Sequence, residues 1–322
     1  MQGAAGAIIG SVVRTADHDH LGRVLQGARM EYMPHPGQPF HAALRALRMD
    51  GVTAQHVEIG ACLNRGAIEP GIAAIVQPVR HDDGATSVNG IALGSRDALL
   101  LAGGAELVTA GSSRRSWVSV ALPQAFLADL EELGPPPVRS SGSAAVLDIP
   151  DGPAAQLQAA LLAAAEMAQT RPAELAAPGA APSLAASLRE LAAEAMTAGV
   201  ALRAARRATR EMLRVFRQSE DLLQANISRP IYRDDLCVAL GVSRRKLHDA
   251  FAATVGMSPP AYLKLRRLVL VRRALRSDGE DAPLVKSVAL SHGFWHLGHF
   301  ARDYRQMFGE LPSQTITAAR PA

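Results

Sequence analysis

The chain has 322 residues, 48% of them hydrophobic and 20% charged, a composition that is globular rather than disordered and a length that suits two domains better than one. Its two cysteines, Cys62 and Cys237, lie far apart, which excludes a disulfide framework and a four-cysteine zinc site and fits a reducing cytoplasm. The net charge of +4 is unevenly spread, with 21 Lys+Arg against 11 Asp+Glu from Arg203 onward and 13 against 19 before it, the pattern of a polyanion-binding module behind a separate sensor or interaction domain.

The N-terminus carries a short apolar patch, Ala4–Ile9, with no basic residue before it, so it does not read as a signal peptide. No run of about 18 apolar residues occurs, and no membrane span is expected. Between residue 53 and about 123, short apolar runs alternate with turn residues: Gln55–Leu63, Gly71–Val79, Ala98–Leu101, Glu106–Thr109 and Trp117–Leu122, punctuated by Asp82-Asp83-Gly84 and Gly103-Gly104. This spacing predicts an antiparallel sandwich or barrel. Phe126–Leu133 reads as a short helix, and Ala145–Ile149, beyond Gly134–Pro137, as a further strand.

From Pro153 the texture turns to Ala, Leu, Glu and Arg. Ala155–Ala168 and Leu184–Leu223 read as helices, the second long and kinked near Gly199. The expected organisation is α+β. A β-rich domain over 1–150 precedes a helical linker or dimerisation segment over 151–211 and an all-α domain over 212–322.

The last hundred residues contain one pattern twice. The first copy runs Leu236, Cys237, Gly241, Val242, Leu247, Phe251, Gly256, Pro259; the second runs Val288, Ala289, Gly293, Phe294, Phe300, Tyr304, Gly309, Pro312. One extra residue sits between Gly293 and Phe300. The pattern is that of a helix-turn-helix. The glycine supplies the tight turn. Cys237 and Ala289 are small where the second helix must approach. Val242 and Phe294 plug the core under the turn. The i, i+4 pairs Leu247/Phe251 and Phe300/Tyr304 bury the inner face of each second helix. A helix over Pro259–Arg276 should join the copies, started by Ser258-Pro259 and stopped by Ser277-Asp278-Gly279.

Two such units, one linker helix, and the string His292-Gly293-Phe294 followed by Phe300-Ala301-Arg302, Tyr304, Phe308-Gly309 and Pro312-Ser313 resemble the DNA-binding domain of the AraC/XylS transcription regulators. The resemblance covers about Val215–Ile316. It implies double-stranded DNA as partner, RNA polymerase contact and a homodimer, with a cupin-like N-terminal domain that senses a small molecule. It places Arg245, His248 and Asp249 at base-reading positions of the first unit. Arg245 suits a guanine edge, and Asp249 suits a cytosine amine or an i, i+4 pair with Arg245. Arg244 and Lys246 are exposed neighbours suited to phosphate. In the second unit His296, Leu297, Gly298, His299 and Arg302 are the equivalents. Leu297 suits a thymine methyl, and Gly298 offers no side chain. Arg266, Arg267 and Lys286 are further phosphate candidates.

Other chemistries find no support. His292 precedes the turn glycine while His296 and His299 follow it, so the three histidines belong to the repeat rather than to a metal. Asp17-His18-Asp19-His20 shows no strand texture around it and has no matching downstream histidine. Hydrolase, phosphate-loop and zincin motifs are missing, and neither enzyme activity nor a cofactor is expected. Cys237 reads as a packing residue. For the first domain an effector sensor and a ligand-free dimerisation or partner-binding module both remain open. His56, Glu58, Arg80, Arg115 and Trp117 are pocket candidates. Alternation sets Val118, Val120 and Leu122 on one face of a strand and Trp117 and Ser119 on the other.

Overall fold

In the computed structural model, residues 9–81, 86–94, 97–131, 142, 144–201, 207–227, 229–277 and 284–319 are described. The apolar patch before Ile9, the turn at Asp82–Gly84, the Gly134–Pro137 stretch and the helix stop at Asp278-Gly279 lie outside these residues. The described residues fall into two compact units. The second holds those from Arg207 on together with Met33–Phe40 and Ser87–Ile91, and the first holds the rest.

The first unit is an antiparallel β-sandwich with helices on one face. Its strands are β1 (Ile9–Thr15), β2 (Ala28–Pro34), β3 (Ala42–Met49), β4 (Val52–Ile59), β5 (Cys62–Ile68), β6 (Ile72–His81), β7 (Thr86–Val88), β8 (Ile91–Leu93), β9 (Asp97–Leu101), β10 (Glu106–Gly111), β11 (Arg115–Pro123), β12 (Ala144–Asp148) and β13 (Val200–Ala201). One sheet runs β1-β3-β4-β11-β6-β9-β12-β13 and the other β2-β5-β10-β7-β8. Helices α1 (His18–Val24), α2 (Ala125–Glu131), α3 (Asp151–Thr170), α4 (Pro172–Leu175) and α5 (Ala180–Ala198) complete the unit. Leu157, Leu161, Leu188 and Ala192 of α3 and α5 share one core with Leu47, Ala54, Val118, Val120 and Leu122 of the large sheet. That pairing settles the alternation of β11. Val118 and Val120 face the helices, and Trp117 and Ser119 take the opposite face.

Three features depart from the sequence reading. Strands β1 to β3 were not expected; Ala42–Met49 alternates poorly because most of its residues are buried on both faces. Strands therefore do flank Asp17–Asp19, where Asp17 caps α1 by accepting the Asp19 backbone N–H. The long helix expected over Leu184–Leu223 is two helices. α5 stops at Ala198, and Val200-Ala201 pairs with β12. At Gly199 a Cβ would stand 3.0 Å from the Ala195 carbonyl oxygen, so the chain can leave the helix tightly there.

The second unit carries α6 (Arg207–Ala225), α7 (Arg233–Leu240), α8 (Arg244–Val255), α9 (Pro259–Leu275), α10 (Val285–Ser291), α11 (Leu297–Phe308) and α12 (Pro312–Ala319). Helix α9 matches its expected bounds within a residue. Its Tyr262, Leu263, Leu265, Leu268, Val269, Val271 and Leu275 are buried. Tyr262 closes an aromatic triad with Phe216 of α6 and Phe251 of α8, rings 5.0–5.4 Å apart and edge to face. Around α11 a second chain of rings runs Phe294, Phe300, Tyr304, Phe308. The Tyr304 hydroxyl is paired with Thr315 of α12 at 2.7 Å, and burial pushes the phenol up to about 12.

Both turn glycines adopt the left-handed conformation, φ +61° at Gly241 and +80° at Gly293. Their surroundings differ. A Cβ at Gly241 would meet nothing, whereas at Gly293 it would stand 2.8 Å from the Pro230 Cβ. Gly241→Ala should therefore cost about 1–2 kcal/mol, the backbone term alone. Gly293→Ala should cost clearly more, because Pro230 must shift as well. Denaturant midpoints of the two variants test the order, and equal losses would contradict it.

Candidate nucleic-acid interface

Each helix-turn-helix is fastened by the same local bonds. The Val242 N–H donates to the Cys237 carbonyl at 3.1 Å, and the Phe294 N–H to the Ala289 carbonyl at 2.9 Å. In the first unit Ser243 caps α8, its hydroxyl accepting the Lys246 N–H at 3.1 Å. Leu247, Ala250 and Phe251 are buried, which turns Arg244, Arg245, His248 and Asp249 outward. Arg245 is 93% exposed in its side chain and lies 4.0 Å from Asp249, the i, i+4 pair anticipated from sequence. His248 Nδ1 is 3.7 Å from the same carboxylate.

The neighbouring cations have other engagements. Arg244 makes two bonds to Asp234 of α7, at 3.0 and 2.7 Å. Lys246 Nζ lies 2.7 Å from Glu211 of α6. The guanidinium of Arg214 and the ammonium of Lys246 together hold the Glu211 carboxyl down at about 2. Arg266 is overturned as a phosphate contact. It is buried and bonds the Leu223 carbonyl at 3.2 Å and Gln224 at 2.9 Å, closing the C-terminal end of α6. Arg267 is half-buried, and its guanidinium lies over the Tyr232 and Phe294 rings at 5.3 and 5.5 Å. Lys286 is exposed.

In the second unit Phe300, Tyr304 and Met307 are buried, so Gly298, His299 and Arg302 are exposed and Leu297 half-buried. His296 stands at the N-cap of α11, its side chain making no capping bond, with its ring 5.8 Å from that of His299. His292 sits at the C-cap of α10, its Nδ1 2.8 Å from the Val288 carbonyl. Sequence reasoning passed over Trp295, which is 67% exposed immediately before this N-cap. The extra residue of the second copy was the available signal. Lys264 of α9 reaches Asp303 of α11 at 2.7 Å and so fixes α11 against the linker.

Within the sandwich, the pocket candidates separate. Arg115 is buried and donates to the carbonyls of Gly111 and Cys62, to Cys62 Sγ at 3.4 Å and to Asn64 Oδ1 at 3.0 Å. Thr109 bonds the same Asn64. Each of these acceptors is uncharged: burial pushes the Cys62 thiol up, and that of nearby Tyr32 pushes its phenol well above the usual range. His56 and Glu58 lie elsewhere, half-buried beside the half-buried Arg45 and the exposed Arg114. Arg45 bonds Glu58 at 3.0 Å and Arg114 bonds it at 2.7 Å. Burial favours the neutral Glu58 carboxyl, and the two guanidinium bonds outweigh it, holding it below the usual carboxylate range. Trp117 is half-buried. The side chain of Arg80 lies outside the described residues.

The second unit thus defines a class: two helix-turn-helix modules on one linker helix, each presenting a polar outer face. Residues 236–318 match the family described as a helix-turn-helix domain. The chain belongs to the AraC/XylS family of transcription regulators and carries an AraC-type DNA-binding domain. It is 34% identical over 101 residues to the XylDLEGF operon transcriptional activator of Pseudomonas putida, an alignment covering 31% of this chain and 32% of that one. It is 36% identical over 91 residues to the HTH-type transcriptional regulator GbdR of Pseudomonas aeruginosa, covering 28% and 24%. A solved structure described as a probable AraC family transcriptional regulator from Rhodopseudomonas palustris is 46% identical, covering 34% of this chain and 99% of that one, with a TM-score of 0.31. The chain matches about a third of the length of the Pseudomonas putida relative. Among the described residues no helix is long and apolar enough to cross a membrane.

The contrast between buried and exposed arginines is testable. Arg266→Ala should destabilise the protein by about 2–3 kcal/mol, since it removes bonds from a buried cation. Arg245→Ala should change stability by under about 0.5 kcal/mol, as an exposed side chain does. Paired thermal melts of the two variants check this.

Proposed function

We propose that the protein is a sequence-specific regulator that reads duplex DNA with α8 and α11 and answers to a small molecule in its N-terminal domain. One observation carries the DNA half. Two helices fastened by the same turn chemistry to one buried linker present outward-facing Arg245, His248 and Asp249 in one case and His296, Leu297, His299 and Arg302 in the other. On this reading Arg245 pairs with a guanine edge, oriented by Asp249. Arg302 and the histidines serve phosphate and base edges in the second groove. Arg244 and Lys246 act mainly by holding α8 in place through Asp234 and Glu211. The linker α9, 17 residues long, spans about 25 Å at ~1.5 Å per residue. With the width of the flanking helices this suits entry into successive major grooves, about 34 Å apart.

The cluster around Arg115 supports the sensor half. A guanidinium inside a sandwich, with uncharged acceptors, is costly as a mere packing element and suits the polar anchor of a ligand site. The competing reading is a domain that only dimerises or binds a protein. Ligand-induced thermal stabilisation of the full chain separates the two, since binding to the folded state alone raises the melting temperature. A homodimer, contact with RNA polymerase, activation of transcription and a cytoplasmic location complete the proposal.

Selection of bound duplexes from a random pool by the full chain is the direct experiment. An asymmetric site spanning about two turns should emerge, with affinity falling steeply with salt as phosphates are neutralised. Arg245→Ala should lose one position of the consensus and about 1–3 kcal/mol on the selected site. An unchanged consensus would place Arg245 outside the reading face.

A further inference from the structure

We propose that Trp295 is a DNA-reading residue of the second unit, an apolar contact that with Leu297 selects thymine through its methyl group. The inference rests on the DNA reading above and adds a residue that neither the repeat pattern nor the family string marks. Three observations lead to it.

The first is the turn itself. In the first unit two residues, Val242 and Ser243, separate the turn glycine from α8. In the second unit three residues, Phe294, Trp295 and His296, separate it from α11. Phe294 faces inward against Phe300, with ring centroids 5.0 Å apart. The longer turn therefore displays its extra residue outward, and that residue is the more exposed of the chain's two indoles, 67% accessible where Trp117 is half-buried. A lone exposed aliphatic residue needs no explanation, but an indole left in water forgoes the burial of a large apolar surface.

The second observation is that this indole is held. Its Nε1–H donates to the Tyr232 hydroxyl at 3.4 Å. The Tyr232 ring lies under the Arg267 guanidinium, which also covers Phe294. Trp295 is thus tied to the first helix-turn-helix through Tyr232 and to the linker helix through Arg267. A side chain both exposed and fastened loses little conformational freedom on binding.

The third is what surrounds it. His296 does not cap α11, Gly298 has open space above it, and His299 and Arg302 add donors on the same helix. A phosphate and a base edge can approach the first turn of α11 closely, with the indole beside them. The polar side chains there can supply phosphate contacts, but the first-turn position Leu297 and the missing side chain of Gly298 leave little hydrogen-bonding capacity for base edges. Apolar contact with the thymine C5-methyl is the readout that Trp295 and Leu297 can add beside these polar groups.

The test uses the full chain and a duplex selected by it. Replacing thymine by deoxyuridine removes only the methyl group. At one or two positions in the half-site covered by the second unit, this should weaken binding of the unaltered protein about three- to ten-fold. Trp295→Ala should weaken binding to the thymine duplex by a similar factor and make the deoxyuridine exchange neutral at those positions. In a Trp117→Phe background Trp295 is the sole indole, and its emission should change on adding the selected duplex. Circular dichroism and the melting temperature of Trp295→Ala should match those of the parent. Unchanged affinity and emission would overturn the proposal. So would a Trp295→Ala variant that keeps the full deoxyuridine penalty, or one that loses affinity equally on selected and random duplexes. Failure of the full chain to select any sequence would instead overturn the DNA reading beneath it.

Discussion

Burial of the linker helix α9 is the constraint on which the second unit depends. A short helix-turn-helix cannot bury enough apolar surface to stand alone, and two of them side by side would have no fixed relation. α9 supplies both needs. Its Tyr262 completes the aromatic triad with Phe216 and Phe251. Lys264 and Arg272 reach Asp303 and Glu310 in the second half, and Arg267 spans the rings of Tyr232 and Phe294. Arg266 closes the end of α6. A helix apolar on only one side could serve one module; this one serves two because its basic residues are themselves used as packing and capping groups.

That double use explains which parts of the interface were legible in the sequence. The turn glycines, the buried i, i+4 pairs and the bounds of α9 follow from local periodicity, and the structure reproduces them. The exposed positions of α8 and α11 follow from the buried ones by subtraction. The fate of each cation does not. Arg244, Lys246 and Arg266 meet Asp234, Glu211 and the α6 carboxyl end. Those partners lie 10 to 43 residues away in sequence, and no local pattern identifies them. Trp295 escaped for another reason: an insertion in a repeat shows as a change of offset, not as a residue with a role.

The first unit was less legible. Its later strands announce themselves by apolar runs between glycines. Strand β3 does not, because the large sheet is covered by α3 and α5 on one face and lies in the sandwich on the other. Residues buried on both sides erase the alternation that reveals a half-exposed strand. Ala-rich α3 and α5 read as helices for the right reason, yet their packing against Val118 and Val120 is long-range. The position of Arg115 inside the sandwich likewise depends on which face α3 covers, and β11 alone cannot say.

Helices α8 and α11, alike in fastening, differ in chemistry. α8 offers a guanidinium and a carboxylate held 4.0 Å apart, a polar pair suited to hydrogen-bonded base edges. α11 offers histidines, an arginine, a glycine gap and an indole. A protein whose two halves demand different base chemistry cannot bind a two-turn site equally well in both orientations. On the proposed reading, the asymmetry that arises from one inserted residue and one Arg–Asp pair would give each bound chain a direction along the duplex. A second chain bound nearby takes its direction from its own site, so the relative orientation of two operator copies, rather than the symmetry of either, would set how a pair of these proteins faces a promoter.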